Sequence, residues 1–418
     1  MPAKRTRRSP VRSDWIHSTL LHVVMYSMLL IATPFLMLRA FLQEAIGTLS
    51  RLSFTLAGME LPILPTVALA LVIALVILYR SRLTLRRILA GVLALLMIAL
   101  AQQFTDYYFG HKFYDLQQNW HYIAYGIFAF VMYRHLAPRH TPLSKFLLIT
   151  YFTALSLSTF DEAFQKHMST RIFDISDIAK DTWGVFTGML LISFGGKESD
   201  ALLSRGKRFR HPKLQDYAKS PRSILVSLFV LSLLLVCISS LLTDFPYWKS
   251  VILITLGSFV LFFFLFHISQ YKWGKYSLLL LLVVGLLTQS YFFLKHRKDY
   301  VVHNQYGLTI YKGIPILFFD VMIFPDGAFR LVDKKHDFNY RDRTFFLMKK
   351  TDIIVIGSGT YGKGGNGFPT REPTQFVYNL FLERGTQIII LKTPEACQVF
   401  NRLKRENKNV ILILHSTC

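Results

Sequence analysis

Acidic side chains are scarce in this sequence. Asp and Glu number 25 against 48 Lys and Arg, and charged residues of both signs make up only 17% of the 418 residues. Cysteine is scarce as well. Of the three, Cys237 lies inside an apolar run, while Cys397 and Cys418 pair only if geometry and compartment allow, so no disulfide framework is predicted. A secretory signal pattern is also missing. Lys4, Arg5, Arg7, Arg8 and Arg12 precede an apolar run too long for an h-region, with no small-residue cleavage site. The formal net charge of +23 does not point to nucleic acid, because the basic residues cluster beside apolar runs, as the positive-inside rule produces.

What is present is apolar length. The chain is 52% apolar, and several runs reach the ~20 residues that cross a bilayer. The predicted fold class is a polytopic α-helical membrane protein with a C-terminal soluble α/β domain. Nine candidate spans lie near 18–42, 62–79, 86–104, 121–137, 143–160, 177–195, 222–243, 250–269 and 276–294. Arg80, Arg82, Arg86 and Arg87 mark one side of the membrane, as do Arg134, Arg139 and Lys145, and again Arg205, Lys207, Arg208, Arg210, Lys213 and Lys219. Together with the basic N-terminus they place the N-terminus in the cytoplasm. Nine spans then carry the tail outside. Lys272, Lys275, Lys295, Arg297 and Lys298 pull against each other at the last span, and long domains translocate largely regardless of charge. The predicted location is the bacterial cytoplasmic (inner) membrane.

The scarce acidic residues concentrate between 160 and 188. Asp161, Glu162, Gln165, Arg171, Asp177, Asp181 and Gly184 lie at or beside the ends of two apolar runs, 146–160 and 178–194. Ionisable residues inside a membrane are costly and mark a functional site by default. The series Asp161-Glu162-x-x-Gln165-x5-Arg171-x5-Asp177-x3-Asp181-x-x-Gly184-x3-Gly188, with His121-x-x-x-Tyr125-Gly126 upstream, resembles the signature of the VanZ-like membrane proteins over roughly residues 85–195. Two departures from it matter. Gln117 and Gln118 stand where the family has an Asp-Lys pair, and Asp181 stands where it has Asn. The resemblance implies an association with resistance to teicoplanin-type glycopeptides.

Three readings of this stretch follow. In the first, His121, Tyr125, Asp161, Glu162, Gln165, Arg171, Asp177 and Asp181 form a polar site, with Arg171 and Lys166 balancing charge; it binds a cationic or hydrogen-bonding group of a lipid-linked wall precursor or a glycopeptide. In the second, Asp177 and Asp181, i and i+4 on one helical face, join Glu162 and His121 around a divalent cation for chemistry on a headgroup. In the third the charges are structural. Asp161 caps or ends its helix, Arg171 pairs with a carboxylate, and Gly184 and Gly188 permit close helix packing. Trp183 and Trp120, near span ends, read as interfacial anchors.

From about residue 301 the pattern changes. Runs at 308–311, 314–323 and 328–332 are β-rich, 352–356 reads as a buried strand, and 374–384 as a helix. A strand at 387–392, a helix at 394–407 with Thr393 as N-cap, and a strand at 410–415 follow. Gly357, Gly359 and Gly362 match G-x-G-x-x-G in form, but loop chemistry follows them rather than a helix, so no dinucleotide or other cofactor is predicted here. The stretches 306–307, 320–327, 356–359 and 393–403 resemble the small domain typified by mitochondrial complex I assembly factor three, over about 301–418. That resemblance implies a compact α/β fold and an interaction or assembly role. His303, His336 and His415 lack spaced partners and read as solvated or core histidines.

The expected layout is a basic segment with two spans (1–84), a VanZ-like core (85–195), a basic linker (196–221), a three-span extension (222–298) and a soluble tail (299–418). The expected function is a non-catalytic envelope protein whose partners are the lipid bilayer and lipid-linked precursors. The alternatives are a metal-assisted enzyme acting on lipid-linked headgroups and an assembly factor for a membrane complex. Nothing in the sequence sets an oligomeric state.

Overall fold

The computed structural model describes residues 18–36, 45, 48–49, 52–56, 59–105, 116–167, 173–196, 213–240, 248–317, 319–332, 351–366, 374–379 and 383–416. Apolar sequence winds into α1 (Thr19–Leu36), then a two-stranded hairpin of β1 (Ser53–Leu56) and β2 (Met59–Pro62) leads into α2 (Ile63–Leu78). There follow α3 (Leu85–Thr105), α4 (Leu116–Leu136), α5 (Leu143–Gln165), α6 (Ile175–Gly195), the short α7 (Leu214–Lys219), α8 (Pro221–Ser239), α9 (Trp248–Ile268) and α10 (Lys272–His296). Contacts divide the chain into two units, one of Met1–Ala101, Phe113–Arg208 and Pro212–Leu233, the other of Gln102–Lys112, Phe209–His211 and Leu234–Cys418.

Each of the nine expected spans overlaps a helix, but among the described residues five helical segments are long and apolar enough to cross a membrane. They are Leu85–Gln102, Leu143–Gln165, Pro221–Ser239, Trp248–Ile268 and Lys272–His296. The segments Thr19–Ala32 and Ile63–Leu78 are apolar but shorter. α4 and α6 drop out for a different reason. Polar and charged side chains interrupt their apolar runs, and α6 is buried along nearly its whole length, from Ile175 to Ser193. α10 is the opposite case, with none of its apolar window buried.

The core of the helical unit lies where α4, α5 and α6 meet, and small residues set the spacing. A Cβ on Gly188 would stand 2.6 Å from the Gly126 carbonyl oxygen, and one on Gly184 would stand 2.9 Å from the His121 carbonyl oxygen. Backbone-to-backbone contact of this kind is how helices associate where lipid gives no hydrophobic drive. Trp183, read as an interfacial anchor, is instead fully buried. Its Nε1 donates to the Met97 carbonyl at 2.9 Å and its ring packs on Phe229. Trp120 is 40% exposed.

The tail begins with an antiparallel sheet of β3 (Val301–Gln305), β4 (Leu308–Tyr311) and β5 (Ile314–Leu317). Its larger sheet contains β6 (Asp320–Ile323), β7 (Phe329–Val332), β8 (Ile353–Gly357), β9 (Thr374–Asn379), β10 (Arg384–Leu391) and β11 (Val410–Leu414), in the order β7-β6-β11-β8-β10-β9. β8 pairs in parallel with both β10 and β11, and every residue of β8 and β11 is buried, as expected of strands covered on both faces. Helix α11 (Thr393–Arg405) lays Ala396, Cys397 and Phe400 on Val355, Val410 and Leu412.

Three local expectations are corrected here. Residues 314–323 form two strands, β5 and β6, in different sheets. The helix expected at 374–384 is strand β9, which pairs antiparallel with β10; aromatic Phe376 and Tyr378 alternate with inward Gln375 and Val377 and suit a pleated edge. Thr393 does not cap α11. Its Oγ1 donates to the His415 carbonyl at 2.7 Å and accepts from the Gly359 N–H at 2.9 Å.

Candidate functional site

Helices α4, α5 and α6 assemble a buried polar site from side chains far apart in sequence. His121, near the start of α4, faces α6. Its Nδ1 lies 2.9 Å from Asp181 Oδ1, and its Nε2 lies 3.7 Å from Asp177 Oδ1. The i, i+4 spacing does place both carboxylates against one partner, and that partner is the imidazole. Ser158 of α5 donates to the other Asp181 oxygen at 2.6 Å. Tyr125, one turn along α4 from His121, is 5% exposed and reaches both Ser158 and Asp181. Lys180 donates to Asp177 at 2.9 Å.

A second group adjoins this one. Gln165 donates to Glu162 at 2.9 Å and to Asp161 at 3.2 Å. Glu162 also accepts the Asp174 N–H at 3.0 Å, which ties the end of α5 to the start of α6. Asp174 itself caps α6, its Oδ1 accepting the Ser176 N–H at 2.7 Å. Asp161 neither caps nor ends its helix: α5 runs on to Gln165, and the Asp161 Oδ1 atom is buried with no hydrogen-bond partner.

Burial is deep: Glu162 is 2% exposed, Asp181 3% and Lys180 6%. Around the site stand five carboxylates, Asp161, Glu162, Asp174, Asp177 and Asp181, and among the described residues they share one lysine and one histidine. A buried ion costs several kcal/mol unless paired and hydrogen-bonded. The arrangement is thus built to receive positive charge or hydrogen-bond donors. Arg171, expected to balance charge, lies outside the described residues, and Lys166 is exposed at the end of α5. Lys180 is a cation that the described residues show paired here, with Asp177.

The divalent-cation reading required Glu162, Asp177 and Asp181 to converge. Glu162 turns instead toward Gln165 and the Asp174 amide, while Asp177 and Asp181 address His121. Among the described residues no group of three His, Cys, Asp or Glu side chains is placed to hold a metal ion.

Sequence reasoning missed Lys180, Ser158 and Asp174. Lys180 was legible as i+3 to Asp177, and Asp174-Ile175-Ser176 as a helix start. Ser158 carries no signal in the sequence, because only the antiparallel meeting of α5 and α6 brings it to Asp181.

In the tail the glycine motif is closed from within. Gly359, Gly362 and Gly365 adopt left-handed φ values of 94°, 79° and 79°, and the described residues 358–366 that follow β8 are not helical. The Gly359 carbonyl accepts the Thr393 N–H at 3.0 Å, so the loop packs on the start of α11. His303 is exposed, and His336 lies outside the described residues. His415 is a core histidine, as expected, but it does have a partner: its Nδ1 is 2.5 Å from Asp320 Oδ2, across 95 residues of sequence. The other Asp320 oxygen accepts the Ser416 N–H at 2.9 Å, and together these contacts fasten the end of β11 to β6.

Residues 304–415 match a family model described as a protein of unknown function (DUF498/DUF598). The match coincides with the tail and includes neither the helical unit nor its polar site. No curated protein matches the chain. A solved structure described as MT938 is similar at 21% identity, covering 28% of this chain and 98% of that one, with a TM-score of 0.23.

Proposed function

We propose that this chain is a non-catalytic protein of the bacterial inner membrane whose helical unit binds the cationic or donor-rich part of an envelope ligand, a lipid-linked precursor or a glycopeptide. The observation that carries this reading is the excess of carboxylates, Glu162 and Asp181 buried and Asp161, Asp174 and Asp177 half-buried, around His121 and Lys180. Hydrogen bonds hold the acceptors before any ligand arrives, so little side-chain entropy is lost on binding. The VanZ-like pattern of residues 85–195 supports the same reading and supplies the link to glycopeptide susceptibility. The cytoplasmic N-terminus and the outward tail belong to the same proposal and rest on the charge of the loops.

The test uses the conservative variants Asp181→Asn and Glu162→Gln, which keep hydrogen-bonding capacity and remove negative charge. Teicoplanin susceptibility would be measured in cells producing equal amounts of each variant, beside thermal melts of the purified proteins. The proposal expects the susceptibility difference made by the wild-type protein to vanish while the melting temperature stays within a few degrees. Unchanged susceptibility in both variants sinks it.

A further inference from the structure

Away from the acidic site, α1 and α4 leave an open groove. The two helices run antiparallel: Tyr26 Oη donates to the Ala124 carbonyl at 2.9 Å, and Thr19 Oγ1 meets His135 Nδ1 at 3.1 Å. Beside these contacts lies a cavity of about 660 Å³, lined at one end by His22 and Arg134 and along its length by Met25, Met28, Ala32 and Val131. That volume falls within the roughly 300–1,000 Å³ of small-molecule sites, which is more than a packing defect leaves.

Two features identify what fits. The first is polarity. The groove is basic at one end and apolar from Met25 to Ala32, the profile of an amphiphile. The eleven residues from His22 to Ala32 span about 15 Å of helix, half of a ~30 Å hydrocarbon core and therefore one leaflet. The second is charge. Arg134 is exposed and among the described residues has no carboxylate partner, and Arg139 and Lys145 follow it on the same side. Basic residues at that boundary favour anionic headgroups by about 1 kcal/mol each.

We propose that the α1–α4 groove binds one anionic phospholipid, with its phosphate at Arg134 and His22 and an acyl chain along Met25, Met28 and Ala32. Methionine suits such a wall because its flexible thioether adapts to a mobile chain. The site is separate from the acidic cluster and stands whatever ligand that cluster takes.

The experiment is native mass spectrometry of the full-length protein in mild detergent, titrated with phosphatidylglycerol or with phosphatidylcholine of the same acyl chains. Wild type should retain one phosphatidylglycerol per chain at a concentration about fivefold below that needed for phosphatidylcholine. Arg134→Gln, at an exposed position that leaves the fold alone, should erase the difference between the two lipids. Ala32→Trp should fill the groove and abolish retention of both. Gly285→Trp on α10, where nothing lies within 4 Å of the added carbon, should change nothing. Equal retention of both lipids by wild type overturns the proposal. So does undiminished retention by Ala32→Trp, or a co-purified polypeptide held there in place of lipid.

Discussion

At His121 one imidazole serves two carboxylates, and its removal separates packing from chemistry. His121→Ala would leave Asp181, 3% exposed, with Ser158 and Tyr125 as its remaining donors. An under-satisfied buried acceptor costs about 1–3 kcal/mol, so the detergent-solubilised protein should melt several degrees lower. Asp181→Asn should melt close to wild type, since the amide still bonds both neighbours. A second residue-scale effect lies in the tail. Burial pushes the Cys397 thiol up to about 12 from 9.0, and the Tyr311 hydroxyl up to about 12 from 10.0. The folded tail thus keeps protons that the unfolded chain releases above pH 9 to 10. Stability is full below about pH 9 and falls as pH rises toward 12. Urea midpoints of the isolated tail at pH 8 and pH 10.5, read by circular dichroism, should show this fall. Cys397→Ala combined with Tyr311→Phe should flatten it.

At the scale of elements, glycines divide by what surrounds them. Gly188 on α6 touches the backbone of α4, whereas an added Cβ on Gly257 of α9 or Gly285 of α10 would meet nothing within 4 Å. Gly188→Ala should therefore destabilise by about 1–3 kcal/mol through overpacking. Gly257→Ala and Gly285→Ala should be neutral or stabilising by up to ~1 kcal/mol, through helix propensity. Thermal melts of the three variants in one detergent check the contrast. Helix periodicity made these elements legible, but the partner of each glycine was not. Strand β9 shows the reverse difficulty. Its residues were read as a helix because a short alternating run is ambiguous, and pairing with β10 decided the matter.

At the scale of the molecule, the tail has its own core and a boundary earlier than the family match. Tyr300 packs on that core, and Val301 is part of it; Asn401 bonds Val301 twice, accepting its N–H at 3.0 Å and donating to its carbonyl at 2.7 Å. A fragment of residues 299–418 should fold alone, and one beginning at residue 304 should be measurably less stable in urea. Equal midpoints would show that β3 adds nothing. The side of the membrane on which the tail lies is read by impermeant thiol labelling of Cys418 in intact cells, with Cys237 and Cys397 replaced by Ala. Labelling is expected; protection until the cells are opened would reverse the outward placement.

Sequence alone determined the apolar helices, the start of an α/β tail near residue 300 and the acidic stretch beside His121, because each is a local matter of composition and spacing. It also placed Asp177 and Asp181 on one face, since 3.6-residue periodicity is fixed by the backbone. Tertiary structure decided what those faces meet. Lys180 pairs with Asp177, Asp174 caps α6, Trp183 is buried, and His415 finds Asp320. Each of these depends on which helix or strand lies opposite, and a contact between residues up to 95 positions apart leaves no periodic trace in either segment.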